Sequence, residues 1–330
     1  MAANLSILLP FRDAAATLEE AARSVLADAG DDAELVAIDD GSTDDGAARL
    51  RALGDPRVVI VRAEGEGIAA ALATGLAVAR GARIARMDAD DVSLPGRFAA
   101  QRALLDADAR LAAVGARIEP FPTCGEGMGR YVAWQNALVT AEDHARELFV
   151  EAPLCHPSTL LRRAALEAVG GWRATPWPED YDLWLRLDAA GWGLAKVPRV
   201  LLRWRQSASS VTRAHASCAP ARLAEARARY LAPKVLASRR ALVVWGAGQT
   251  GRRLARALAD EGARAARFVD IDPRKVGRTR RGAPVVAPRA IDPERDFVVI
   301  AVGTRGARDV IRPQLAGLGL REGRDCFFAA

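Results

Sequence analysis

The stretch IARMDADDVSLPGR, residues 84–97, sets a short apolar run in front of three carboxylates, Asp88, Asp90 and Asp91, and closes with Pro95 and Gly96. The run over 82–87 reads as a strand and the Pro-Gly pair as a turn. Acids at alternate positions of an extended segment point to one side, so Asp88 and Asp90 are expected to converge. Hard divalent cations such as Mg²⁺ and Mn²⁺ prefer oxygen ligands, and Mg²⁺ takes one or two carboxylates together with phosphate oxygens. A strand followed by a solvated acidic turn would carry the same letters, so the surrounding sequence has to decide.

Upstream, the apolar run 5–10 predicts a buried strand, followed by a helix to about residue 27 with Leu18, Ala22 and Val25 at helical spacing. A second strand, 34–38, ends at Asp39, Asp40 and Gly41. A third, 58–61, leads through a loop holding Gly65 and Gly67 into a helix over 68–80. Strands alternating with helices imply right-handed βαβ crossovers and a largely parallel sheet covered on both faces, whose ligands gather at the carboxyl ends of the strands. The Pro10 to Asp13 turn, the Asp39/Asp40 turn and the Asp88/Asp90 turn all lie at such ends. They are expected to meet over one crevice.

Downstream, residues 114–150 are less regular and read as loops, short strands and a helix over 141–148. Then come HPSTLLRR (156–163), GGW (170–172) and WPEDYDLWLRL (177–187). The last starts like a helix, because Pro178 suits the first turn and Glu179, Asp180 and Asp182 favour the positive end of the dipole. Leu183, Trp184 and Leu187 then fall on one inward face. An Ala/Arg-rich segment, 215–239, reads as a helical linker punctuated by Pro220 and Pro233. Beyond it, ALVVWGAGQTGRRLARAL (241–258) sets Gly246, Gly248 and Gly251 between a strand and a helix, with Asp270 some twenty residues on, the dinucleotide-binding fingerprint. Only one half of such a fold is present, so nucleotide binding and a packing or assembly role both stay open.

With 330 residues, 50% of them hydrophobic, the chain can bury a large core and is expected to form two domains. The net charge of +6 comes from arginines dispersed among Ala and Leu, which argues against a nucleic-acid binder. Four cysteines, Cys124, Cys155, Cys218 and Cys326, lack the spacing of a zinc site or disulfide framework. No segment approaches the ~20 apolar residues of a membrane helix, and the first residues lack a signal-peptide pattern. The expectation is a cytoplasmic protein, with peripheral association at the inner face of a membrane left open.

SILLPFRDAAATL, VAIDDGSTDDG, GIAAALATGLAVARG, ARMDADD, HPSTLLRR, GGW and EDYDLWLR occur in the order seen in family 2 glycosyltransferases, and over about residues 5–213 the chain resembles that family. The resemblance implies an α/β chain with the GT-A nucleotide-sugar-binding fold over 1–214, a mostly parallel central sheet with helices on both faces, and inversion at the transferred sugar. A smaller Rossmann-like α/β domain of uncertain ligand would occupy 240–330, with Gly246, Gly248, Gly251 and Asp270 as its nucleotide candidates. By the same resemblance, Pro10, Phe11, Arg12, Asp13, Asp40 and Gly67 line the nucleotide-sugar site. Asp88 and Asp90 hold Mg²⁺ or Mn²⁺ on the donor diphosphate, and Asp180 is the catalytic base with Glu179 beside it. Where family members often carry Tyr-Asn after the first strand, this chain has Phe11, Arg12 and Asp13, which leaves the donor base open, a UDP-sugar being the first expectation.

His156 and Trp177 are candidates on the acceptor side, His156 equally as a structural histidine and the other tryptophans as core. Arg203, Arg205 and Arg213, near 209–212, read as a solvated basic face or as diphosphate ligands. The implied reaction is transfer to a hydroxyl of a cell-surface glycan or lipid-linked acceptor. Two alternatives remain: an NAD-dependent sugar oxidoreductase using the glycine loop, for which no Tyr-x-x-x-Lys pair is evident, and a nucleotide-sugar-binding regulatory protein with an inactive transferase domain, against which the intact D-x-D and E-D motifs count.

Overall fold

A computed structural model describes residues 4–206 and 216–330. The chain divides into two compact units. The first holds Met1–His144, Pro153–Thr175 and Glu179–Ala214, and the second Ala145–Ala152, Pro176–Pro178 and His215–Ala330.

The first unit is built on an eight-stranded sheet. One half consists of β1 (Leu5–Phe11), β2 (Ala33–Asp39), β3 (Val58–Arg62) and β4 (Arg83–Arg86), all parallel, in the order β3-β2-β1-β4. Helices α1 (Leu18–Leu26), α2 (Gly46–Ala52) and α3 (Ile68–Val78) connect them. β1 is buried at all seven positions, the near-continuous apolar pattern of a parallel strand covered on both faces. The other half is mixed. It contains β5 (Val92–Ser93), β6 (Leu111–Phe121), β7 (Leu160–Arg162) and β8 (Gly193–Arg205), continuing from β4 as β7-β6-β8-β5. β7 runs antiparallel to both neighbours, β6 and β8 pair in parallel, and β5 lies antiparallel to β8. Helices α4 (Arg97–Ala107), α5 (Glu126–Ala137), α6 (Ala141–Glu147), α7 (Arg163–Ala168) and α8 (Glu179–Ala189) follow in chain order. β6 and α5 occupy the stretch that reads as irregular, and β8 has no counterpart in the sequence reading.

Lys196 on β8 is 1% exposed and forms no ion pair among the described residues. Its Nζ donates to the carbonyls of Gln135 and Pro153. Burial lowers its pKa to about 7. Between that value and the ordinary lysine value, about 10.4, only the unfolded chain keeps this proton. The unfolded state then binds more protons, so stability should rise with pH across that window, by at most about 1.4 kcal/mol per pH unit, and be lost again as pH falls through 7. Denaturant midpoints of wild type and Lys196→Met from pH 7 to 10 check this: the wild-type midpoint should gain on that of the variant as pH rises. Parallel curves would show that Lys196 stays charged.

The second unit opens with α9 (Pro220–Ser238), which buries Leu231 and Val235 and packs on α10 (Gln249–Asp260) as a member of the unit. Its sheet comprises β9 (Ala241–Trp245), β10 (Ala265–Val269), β11 (Thr279–Arg280), β12 (Ala283–Val286), β13 (Asp296–Ile300) and β14 (Cys326–Phe328), in the order β11-β12-β10-β9-β13-β14, parallel except for the β11/β12 pair. α11 (Ala307–Gly317) lies between β13 and β14 in the chain. Among the described residues no helix is long and apolar enough to cross a membrane.

Candidate active site

Three loops at the carboxyl ends of β1, β2 and β3 are laced to one another. Pro10 and Phe11 are buried, with Phe11 3% exposed in the core. Arg12 and Asp13 are exposed. Asp13 adopts a positive φ of 50°, which an Asp tolerates better than most residues. Its Oδ1 accepts from Thr43 N at 2.7 Å and Thr43 Oγ1 at 3.0 Å, and its own N–H donates to Ser42 Oγ. These bonds from Thr43 hold the Asp13 carboxyl below the usual carboxylate range. Asp40 donates its backbone N–H to Phe11 O, and its carboxylate accepts from Gly67 N at 3.1 and 3.2 Å. Asp13 and Asp40 thus tie the first loop to the second and the second to the third.

β4 ends at Arg86, and the acids follow in a turn rather than an extended strand. That turn, not strand alternation, brings Asp88, Asp90 and also Asp91 together, with one carboxylate oxygen from each within 4.8 Å of the others. Asp91 is 1% exposed; its Oδ1 accepts from Arg205 N at 2.7 Å and its Oδ2 is buried without a hydrogen-bond partner. Burial, then the charge of Asp88, raises the pKa of Asp90 to about 6 and pushes that of Asp91 well up. An all-oxygen cluster with an orphaned buried carboxylate oxygen and mutual repulsion fits a hard divalent cation, with Asp88 and Asp90 joined by Asp91 as the groups able to hold it.

Arginines frame this turn. Arg205 on β8 donates from Nε to Asp90 O at 2.5 Å and from Nη2 to Glu20 at 2.6 Å, while Arg203 lies over the Phe121 ring at 4.3 Å. Arg213 lies outside the described residues. Arg97 is fully buried, its pKa lowered by burial to about 10, and its Nη2 donates to Arg86 O and Pro157 O, both at 2.8 Å. It pins the acid turn to the short helical turn His156–Ser158. Arg86, 3% exposed, pairs with Asp88. Burial would discharge it, but the charges of Asp88, Glu179 and Asp91 keep it protonated. Arg86 and Arg97 both stand in the quoted acidic stretch, Arg86 as a charge inside an apolar run, yet sequence reasoning gave them no role.

The E-D motif opens α8, with Glu179 and Asp180 in its first turn. Asp180 is half-buried and its Oδ1 accepts from Tyr181 N at 2.7 Å. Asp182 is fully buried and paired with Arg186 at 2.7 Å and Arg173 at 2.9 Å, a structural acid. His156 is buried between Trp172 and Glu179. It is 6% exposed, its Nε2 accepts from Trp172 Nε1 at 3.0 Å, and its Nδ1 lies 3.5 Å from Glu179 Oε1. Trp177, half-buried, belongs to the second unit.

In the second unit two of the three glycines, Gly246 and Gly251, allow a close backbone approach. A Cβ at Gly251 would sit 1.7 Å from Gly246 O, and one at Gly246, whose φ is +123°, 2.5 Å from Ala301 O, whereas Gly248 has open space. Asp270 is turned onto its own loop, accepting from Ala247 N at 3.1 Å and from Asp272 N and Lys275 Nζ at 3.0 Å each. The acid that a dinucleotide ribose would need is therefore already engaged.

A parallel half-sheet whose loops are laced at the carboxyl ends and which delivers an acidic turn beside them defines the first unit as a nucleotide-sugar-binding fold of the GT-A class. The chain belongs to glycosyl transferase family 2, whose model matches residues 6–170. It is 27% identical over 158 residues to the amylovoran biosynthesis glycosyltransferase AmsE of Erwinia amylovora, a match covering 48% of this chain and 58% of that protein. The chain thus spans little more than half the length of that relative. Among solved structures, S. aureus TarS in complex with UDP-GlcNAc superposes with a TM-score of 0.55 at 15% identity, over 77% of this chain and 71% of that one. A mannosyltransferase of Pyrobaculum calidifontis in complex with GDP-Man and Mn²⁺ does so with a TM-score of 0.50 at 20% identity, over 70% and 63%.

Proposed function

We propose that this chain is a metal-dependent, inverting glycosyltransferase that moves a sugar from a nucleoside-diphosphate sugar to a hydroxyl of a cell-surface glycan or a lipid-linked acceptor. The observation that carries the reading is the acid cluster, Asp88, Asp90 and Asp91, gathered with a buried unpartnered oxygen at the carboxyl ends of the parallel strands. The relative in amylovoran biosynthesis and the neighbours bound to UDP-GlcNAc and GDP-Man support a nucleotide-sugar donor and a polysaccharide product.

In this reading Asp88 and Asp90 hold Mg²⁺ or Mn²⁺, which when bound offsets the charge of the donor diphosphate. Asp13, Asp40 and Gly67 shape the loops that receive the nucleoside. Asp180 takes the acceptor hydroxyl proton as that oxygen attacks the anomeric carbon from the face opposite the diphosphate. The new C–O bond forms as the bond to the phosphate oxygen breaks, and the nucleoside diphosphate leaves with the electron pair.

A thermal-shift panel of UDP, GDP, dTDP, their sugars and NAD, with and without Mn²⁺, tests the reading, since a ligand specific for the native state raises the midpoint by mass action. One nucleotide series should stabilise the protein, and only with metal. Stabilisation by NAD alone, or by none of them, would overturn the assignment.

A further inference from the structure

Three buried side chains of the first unit bear on Glu179: His156 beside it, Trp172 through its bond to His156, and Arg86 through its charge; Trp172, His156 and Arg86 are 4%, 6% and 3% exposed. An indole N–H can only donate, so the His156 Nε2 that Trp172 meets at 3.0 Å carries a lone pair. Burial, with the charge of Arg86, lowers the affinity of this ring for a second proton, which keeps it neutral. A neutral imidazole with a bare Nε2 carries its proton on Nδ1, since the bond made by one nitrogen sets the state of the other. Nδ1 is the atom 3.5 Å from Glu179 Oε1. Trp172 therefore dictates that His156 presents a donor, not an acceptor, to the carboxylate.

Glu179 sits in the first turn of α8, next in sequence to Asp180. Arg86 pairs with Asp88, and its charge also favours the ionised Glu179. The ring of Trp184, further along α8, lies edge-to-face with that of His156, centroids 6.0 Å apart. We propose that His156 is a positioning residue: held by Trp172 in the Nδ1–H form, it orients the Glu179 carboxylate and with it the turn that carries Asp180. The proposal rests on the reading of Asp180 as the base and extends it to residues that touch no substrate. The opposite tautomer would set an N–H against the indole N–H and a lone pair against the carboxylate. Both contacts would become repulsive, and the first turn of α8 would be free to shift. Misplacement of a reacting group by about 1 Å is enough to cost on the order of 100-fold in rate.

The full chain labelled with ¹⁵N-histidine tests this directly. It has three histidines, so two-bond proton–nitrogen correlations can be assigned by comparison with His156→Asn. Wild type should show His156 protonated on Nδ1 and bare on Nε2, and Trp172→Phe, which keeps a ring but removes the donor, should move it toward the Nε2–H form. Release of nucleoside diphosphate from the donor with water as acceptor gives the kinetic readout without an identified acceptor. Trp172→Phe should lower kcat by about 10- to 100-fold with the donor KM unchanged. His156→Asn, whose amide N–H stands near the Nδ1 position, should retain more activity than His156→Gln, whose amide reaches toward Nε2. An Nε2–H ring in wild type, a Trp172→Phe variant with unaltered tautomer and kcat, or equal losses in the Asn and Gln variants would overturn the proposal. The tautomer remains readable even if the protein binds no nucleotide, so failure of the transferase reading and failure of this inference give different results.

Discussion

Asp180→Asn is expected to cut turnover of the donor by about 10²- to 10⁴-fold while nucleotide binding stays intact. The amide has the shape of the carboxylate but cannot take the acceptor proton. Its Oδ1 can still accept from Tyr181 N, so the first turn of α8 should hold. The neighbouring acid supplies the contrast. Asp182 is fully buried and shared by Arg186 and Arg173, and Asp182→Asn strands two guanidinium groups, one of them buried. Breaking a buried pair costs about 3–5 kcal/mol, so this variant should lose stability first and activity only as a consequence. Nucleoside diphosphate release and thermal midpoints, measured on both variants, separate the two roles. Near-normal release by Asp180→Asn, with donor bound, would remove Asp180 from the chemistry.

The parallel half of the first sheet was legible because its strands are short apolar runs bounded by turn residues and joined by helices of ordinary length. LSILLPF and AELVAID have no other reading once the helices between them are recognised. The mixed half was not legible. β6 contains Gly115 and Pro120, which read as breaks, and α5 holds Gly127 and Gly129 with no clear apolar stripe. β8 has exposed residues at Pro198, Arg199 and Val200 in mid-strand, where its register with β6 shifts, so neither alternation nor a continuous apolar run marks it.

The same limit applies to the candidate site. Motif order named the acids and the E-D pair. It could not tell that Phe11 points into the core, that Asp270 closes on Lys275, or that His156 faces Glu179, because each depends on which neighbour a fold brings within 4 Å. Arg86 was the exception that could have been noticed: an arginine inside an apolar run, two residues before the first acid, requires a buried partner, and Asp88 is the one it finds.

Asp90→Asn should move the stability of the free protein and of the loaded protein in opposite directions. In the free protein the cluster is under repulsion. Burial and the charge of Asp88 raise the Asp90 pKa to about 6, above its unfolded value near 3.9. A raised carboxyl stabilises the fold below the unfolded value, and that contribution is lost as pH rises through 6. At pH 7.5 the ionised Asp90 is therefore a liability on the order of 2 kcal/mol, and the neutral amide should raise the metal-free midpoint. The gap between variant and wild type should close as pH falls from 6 toward 4, where Asp90 is protonated in the fold. With Mn²⁺ and the preferred nucleotide present, wild type should gain about 2.7 kcal/mol at a ligand concentration 100 times Kd, and the variant little or none. The two midpoints should then cross: variant above wild type without metal, below it with metal and nucleotide. A metal-free midpoint that falls in the variant would mean the acids are stabilised by contacts within the fold and not poised for a cation. A ligand shift that survives the substitution would move the metal, if any, away from Asp90.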